Sequence, residues 1–173
     1  MAGKKPRAAP ANKPTFEEAV RAAPRAVGDA LRNGKGALKA DHARKVTCND
    51  ERRFTASLDL DAALQRTPEH AQANRWDYGI GLAGADGAHK AIWIEVHSAE
   101  TSEVSVVLRK LAWLRTFLAQ HCEQLWAMTS KAADDPAFFW VASGRVNIPK
   151  HMPQRRALAQ AGLDMPKSQL HLS

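Results

Sequence analysis

The chain has 173 residues, 45% apolar and 6% aromatic, which suffices for one globular core and is too short for two full-sized domains. It holds no run near the ~20 apolar residues of a spanning helix, no secretory leader behind its N-terminal lysines, and no CxxC pair around its two cysteines, Cys48 and Cys122. An integral membrane protein, a disulfide scaffold and a cysteine-rich zinc module are thereby excluded and a cytoplasmic protein is expected, while 25 Lys and Arg against 18 Asp and Glu (net +7) favour a nucleic-acid partner.

Residues 1–14 consist of Lys, Arg, Ala, Pro and Asn with small or absent apolar side chains, apart from Met1, and read as a basic disordered tail ahead of a single domain over 15–173. The charge is concentrated at this end. Residues 1–50 carry 11 Lys and Arg against 5 Asp and Glu, net +6, and residues 51–173 carry 14 against 13, net +1. Thr15 followed by Glu18 has the form of a capping box that opens a helix. Pro24 interrupts it, a second helical piece spans Ala26 to Leu31, and Asn33-Gly34-Lys35-Gly36 stops it.

From Phe54 the period becomes two. Phe54, Ala56, Leu58 and Leu60 share one side of a predicted strand, with Asp59 and Asp61 on its solvated side. A second strand carries Trp76, Tyr78, Ile80 and Leu82, and the Gly84-Ala85-Asp86-Gly87 turn joins it as a hairpin to a third strand, Ala91 to His97. Val104, Val107, Leu108, Leu111, Leu114 and Leu118 form the apolar stripe of a long helix capped at Thr101 or Ser102. Trp113 falls opposite that stripe and marks a candidate interface with a second copy, as in a homodimer, or with another protein. Ala137 to Ala142 reads as a buried strand, and Pro153 begins a last helix that runs to Ala161 and stops at Gly162. The order predicts an α/β domain, a mixed sheet covered by helices.

Glu95 and His97 lie two apart on the third strand and project from one face, beside Trp93, while Ile92, Ile94 and Val96 take the other. A carboxylate and an imidazole in an otherwise apolar strand need a compensating partner. A divalent cation held by Asp77 and Glu95 is one such partner, since hard cations prefer carboxylate oxygens. The ordinary alternatives are Asp77 paired with Arg75, Glu95 in a buried ion pair with Lys110 or Arg109, and His97 as a hydrogen-bonded histidine. After the last strand Arg145, Lys150, Arg155 and Arg156 cluster, either as phosphate contacts or as a solvated helix start.

The segments RWDYGIGL, AIWIEVHSA and TSEVSVVLRKLAWLRTFL resemble the PD-(D/E)xK nuclease superfamily. The resemblance covers Phe54 to Ala142, with the N-terminal helix as an extension. It implies a restriction-endonuclease-like αβββαβ core and hydrolysis of nucleic-acid phosphodiester bonds with Mg²⁺ or Mn²⁺. Asp77 and Glu95 would be the metal ligands and the catalytic set would be Asp77, Glu95, His97 and Lys110. His97 stands where the family has its lysine. A histidine with an ordinary pKa of about 6.5 is mostly neutral at pH 7 and supplies no fixed charge. Either His97 serves as base, donor or ligand, or Lys110 on the following helix supplies the cation, or the fold binds nucleic acid or a protein partner without catalysis. Glu17 or Glu18 would match a further acidic residue that some members carry on the first helix.

Overall fold

The structure is a computed structural model in which residues 13–173 are described; residues 1–12, most of the predicted tail, lie outside that range. The first helix, α1 (Phe16–Arg21), begins with the predicted capping box: Thr15 accepts from the Glu18 backbone and the Glu18 side chain accepts from the Thr15 backbone. The second helix, α2 (Arg25–Asp29), is shorter than predicted. Its expected end is taken instead by a strand, β1 (Leu31–Asn33), which pairs antiparallel with β3 (Phe54–Asp59). Between them lie a short helix, α3 (Ala40–Ala43), and β2 (Val46–Cys48).

The chain continues through α4 (Leu60–Gln65), β4 (Tyr78–Ala83), β5 (His89–Glu100), α5 (Val104–His121), α6 (Glu123–Met128), β6 (Phe138–Asn147), α7 (Pro153–Gln160) and β7 (Leu170–Leu172). The result is an α/β fold around a five-stranded mixed sheet in the order β1-β3-β4-β5-β6. Its first four strands are antiparallel neighbours and β6 runs parallel to β5. No helix among the described residues is long and apolar enough to cross a membrane.

The two faces of the sheet bury different partners. On one, Ala56, Leu58, Trp93 and Trp140 pack under α1, α5 and α6, with Val107, Leu111, Leu114 and Leu118 of α5 fully buried as their spacing predicts. On the other, Tyr78, Ile80, Leu82, Ile92 and Ile94 are covered by a parallel two-stranded ribbon of β2 and β7, through Val46, Cys48, Leu170 and Leu172. Cys48 and Cys122 are thus free thiols in different cores, on opposite faces of the sheet.

Two predicted details of β3 are corrected. A register shift between Phe54 and Ala56 turns Phe54 to the ribbon-covered face, away from Ala56 and Leu58. Leu60 begins α4 and does not extend the strand, because the Asp59 carboxylate accepts from the Ala62 N–H at 2.8 Å and caps a helix there. Trp113 is half-buried within the chain, stacked on Phe117 with ring centroids 5.1 Å apart and edge-on to His70 at 6.0 Å.

The alternation of Gly79 and Gly81 in β4 has a packing reason. A Cβ on Gly79 would fall 2.7 Å from the Trp93 ring, and one on Gly81 would fall 2.5–2.7 Å from Cβ and ring atoms of Phe16. β4 is therefore bare on this face, so that Trp93 and the start of α1 lie directly against its backbone. Gly81→Ala should destabilise the protein by about 1–3 kcal/mol through overpacking. Thermal unfolding followed by circular dichroism checks this, and an unchanged midpoint would mean that Phe16 does not rest on β4.

Candidate active site

The hairpin of β4 and β5, together with α5, brings the predicted residues together. Tyr78 pairs with Ile94, so Asp77, one residue before β4, lies level with Glu95 on the neighbouring strand. The preceding loop is held in place by Arg75. Its Nε donates to Asp61 at 2.9 Å, and its Nη1 donates to the carbonyls of His70 and Ala71 at 2.8 and 2.6 Å. Arg75 therefore pairs with Asp61, and Asp77 is left for the site. The Asp77 carbonyl in turn accepts from the Leu60 N–H at 2.8 Å, which ties it to the start of α4.

Glu95 has no exposed surface. Its Oε2 accepts from the Asp77 N–H at 3.1 Å, and its Oε1 accepts from Lys110 Nζ. Asp77 Oδ2 accepts from the Val96 N–H at 3.0 Å, and Asp77 Oδ1 lies 3.7 Å from the same Lys110 Nζ. The two carboxylates thus converge on one ammonium, delivered by the helix that follows the strand. The lysine position explains this geometry. Lys110 lies between Val107 and Leu111 at the edge of the buried stripe of α5, so its stem runs along the apolar interface and its head enters the site.

His97 is the fourth member. Its Nδ1 is 3.5 Å from Glu95 Oε1, its Nε2 is 2.7 Å from Glu103 Oε2, and its carbonyl accepts from Trp140 Nε1 at 3.2 Å. Glu103, read from the sequence only as a favourable first-turn acid, is the residue that was missed. It sits in the 3-10 turn Thr101–Glu103 that joins β5 directly to α5 and folds it back over His97. No residue pattern marks how tightly that connection turns, and the contact depends on it. Glu17 and Glu18 do not join the group: Glu18 completes the cap of α1, and Glu17 lies 3.6 Å from His89, at the opposite end of β5.

The electrostatics follow from burial and crowding. Burial, and then the Glu95 charge, push the Asp77 carboxyl up to about 6, against the opposing pull of Lys110. The hydrogen bond to Glu95, joined by that to Glu103, raises His97 above its ordinary value in spite of partial burial. Both ring nitrogens are directed at carboxylates, which favours the protonated form relative to a free imidazole. Among the described residues no group of three or more His, Cys, Asp and Glu side chains has metal-binding geometry. The donor set here is the pair Asp77 and Glu95. Two carboxylates completed by water and substrate oxygens are a usual set for Mg²⁺, and the Glu95 charge, after burial the second cause of the raised Asp77, is of the kind a cation would relieve.

Asp77 holds its proton more tightly in the folded chain than in the unfolded one. Its contribution to stability is full below its ordinary value of 3.8 and is lost as pH rises to about 6; that of His97 is full below 6.5 and is lost as pH rises through its raised value. The stability gain of Asp77→Asn over wild type should grow by on the order of 2 kcal/mol between about pH 4 and about pH 7. Urea unfolding at the two pH values tests this; a difference independent of pH contradicts the burial of Asp77. Comparison with family models, with curated proteins and with solved structures returns no match.

Proposed function

We propose that the chain is a metal-dependent nuclease, a divergent member of the PD-(D/E)xK superfamily in which the catalytic cation has moved from the strand to the next helix. The observation that carries this reading is the convergence of Asp77 and the wholly buried Glu95, from adjacent strands, on Lys110 of α5. The order α1, β3, β4, β5, α5, β6, with β6 parallel to β5, supports a restriction-endonuclease-like core. The two buried free thiols suit a reducing cytoplasmic compartment.

Asp77 and Glu95 would hold Mg²⁺ or Mn²⁺. Such an ion, when bound, lowers the pKa of a coordinated water and stabilises charge on a phosphoryl oxygen. Lys110 places a cation within reach of the oxygens that gain charge as the phosphodiester is attacked. His97, held between Glu95 and Glu103, supplies positive charge at the rim and orients Glu95; with both nitrogens engaged it is positioned as a donor and not as the base. Asp77 must lose its proton to act as a ligand, so ion binding weakens as pH falls through about 6.

The second reading is an inactive nuclease-fold protein that binds nucleic acid or a protein partner. It is favoured by one feature: Lys110 already satisfies both carboxylates in the manner of a structural ion pair. Incubation with single- and double-stranded DNA and RNA in Mn²⁺ separates the two. Cleavage by the wild type should fall by at least about a hundredfold in Asp77→Asn and Glu95→Gln, the usual size of a lost electrostatic contribution to catalysis. Cleavage that survives both substitutions, or no cleavage with any substrate, removes the enzymatic reading.

A further inference from the structure

The C-terminal ends of β5 and β6 continue past the rest of the sheet. β4 pairs with β5 only as far as Ile94, whereas β5 and β6 remain paired to Glu100 and Asn147. Within this extension the register is broken. His97 pairs with Ala142 and Ala99 pairs with Val146, so Ser143, Gly144 and Arg145 all stand opposite Ser98. Such a bulge re-aims side chains and is common beside functional sites. Residues 143–147 are exposed throughout, and the bulge directly adjoins the strand position of His97.

The charge of this region is one-sided. From Pro136 to Leu163 the chain has no Asp or Glu, yet it carries Arg145, Lys150, Arg155 and Arg156. All four are exposed, and among the described residues none has a carboxylate within ion-pair distance. Arg155 and Arg156 occupy the first turn of α7, where the helix dipole disfavours cations. Lys150, Arg155 and Arg156 line one shallow depression of about 550 Å³. Lys150, Arg155 and Arg156 thus share one depression as like charges, and the two arginines oppose the dipole of their own helix. A bound polyanion relieves both.

We propose that the segment from the β6 bulge to the first turn of α7, carrying Arg145, Lys150, Arg155 and Arg156, binds the phosphate backbone of a nucleic-acid strand beside the carboxylate site. It rests on the reading of the chain as a nucleic-acid-binding protein and does not depend on catalysis. Arg145 lies three residues beyond Ala142, the strand partner of His97, and Lys150, Arg155 and Arg156 follow it in the chain. Contacts of this kind position the substrate without reading its bases.

The test is fluorescence anisotropy of the full chain with labelled single- and double-stranded DNA and RNA oligonucleotides, over a salt series in EDTA. The variant replaces Arg145, Lys150, Arg155 and Arg156 with Gln; because all four are exposed, its circular dichroism and thermal midpoint should match wild type. Each lost phosphate contact lowers the salt slope of duplex-DNA binding by about 0.9, so a drop of about two to four and an affinity loss of at least about tenfold at low salt are expected. Arg145→Gln alone should remove about one contact. Equal binding by wild type and the fourfold variant places the contacts elsewhere and overturns the proposal, even where cleavage is seen. Equal retention on anionic lipid vesicles overturns the assignment to nucleic acid. Binding that is lost in the fourfold variant, in a protein that never cleaves, leaves this surface standing and removes only the enzymatic reading.

Discussion

Glu95 is the only ionisable residue among the described ones to be both charged at neutral pH by its ordinary chemistry and buried with no exposed surface. A carboxylate in the interior is tolerated only where its lone pairs are taken up and its charge is countered. Glu95 meets this condition through three elements at once: the Asp77 N–H at the start of β4, Lys110 on α5, and His97 further along its own strand. Removing one partner of such a pair costs about 3–5 kcal/mol, because it leaves an uncompensated buried charge. The packing of α5 on the sheet, the entry of β4 and the turn from β5 into α5 are therefore held to one another by the demands of a single side chain.

That constraint explains features which otherwise look unconnected. Lys110 can reach Glu95 only where α5 lies close over β5, and in the same layer the Trp93 ring lies against Gly79 while its Nε1 donates to Thr129 Oγ1 at 2.9 Å. Thr129 is itself buried and donates to the Leu125 carbonyl, so the end of α6 is tied to the same layer. Asp77 is brought level with Glu95 by the loop that Arg75 clamps. An arginine so nearly buried, spent on carbonyls and one aspartate, serves the placement of the residue two positions later.

Long-range order was legible in the sequence where periodicity ran long enough. The buried stripe of α5, the glycine turn of the β4–β5 hairpin, the capping box of α1 and the proline start of α7 all match local signals. The short strands β1, β2 and β7 were not legible, because three residues carry no measurable period and their pairing is decided by what the sheet leaves open. Phe54 was assigned to the wrong face because a bulge inverts alternation without altering the residues that alternate. At the site, Asp77, Glu95 and His97 could be named from strand phase, whereas Lys110 was one of two candidate partners of Glu95, with Arg109, until the family resemblance singled it out. Glu103 could not be named, since its contact depends on how tightly the chain turns after Glu100.

The position of the cation separates this site from the strand-borne lysine that the resemblance implies. A side chain at position 97 starts from the end of the sheet, where the strand has lost its β4 neighbour, and His97 retains 28% of its side-chain exposure there. From that rim it can balance Glu103, but it meets Glu95 only obliquely, at 3.5 Å. Lys110 arrives from above, through the apolar layer between α5 and β5, and contacts Glu95 where water does not reach. A helix-borne ammonium is therefore the effective counter-charge for the buried carboxylate, and His97 is released to pair with Glu103.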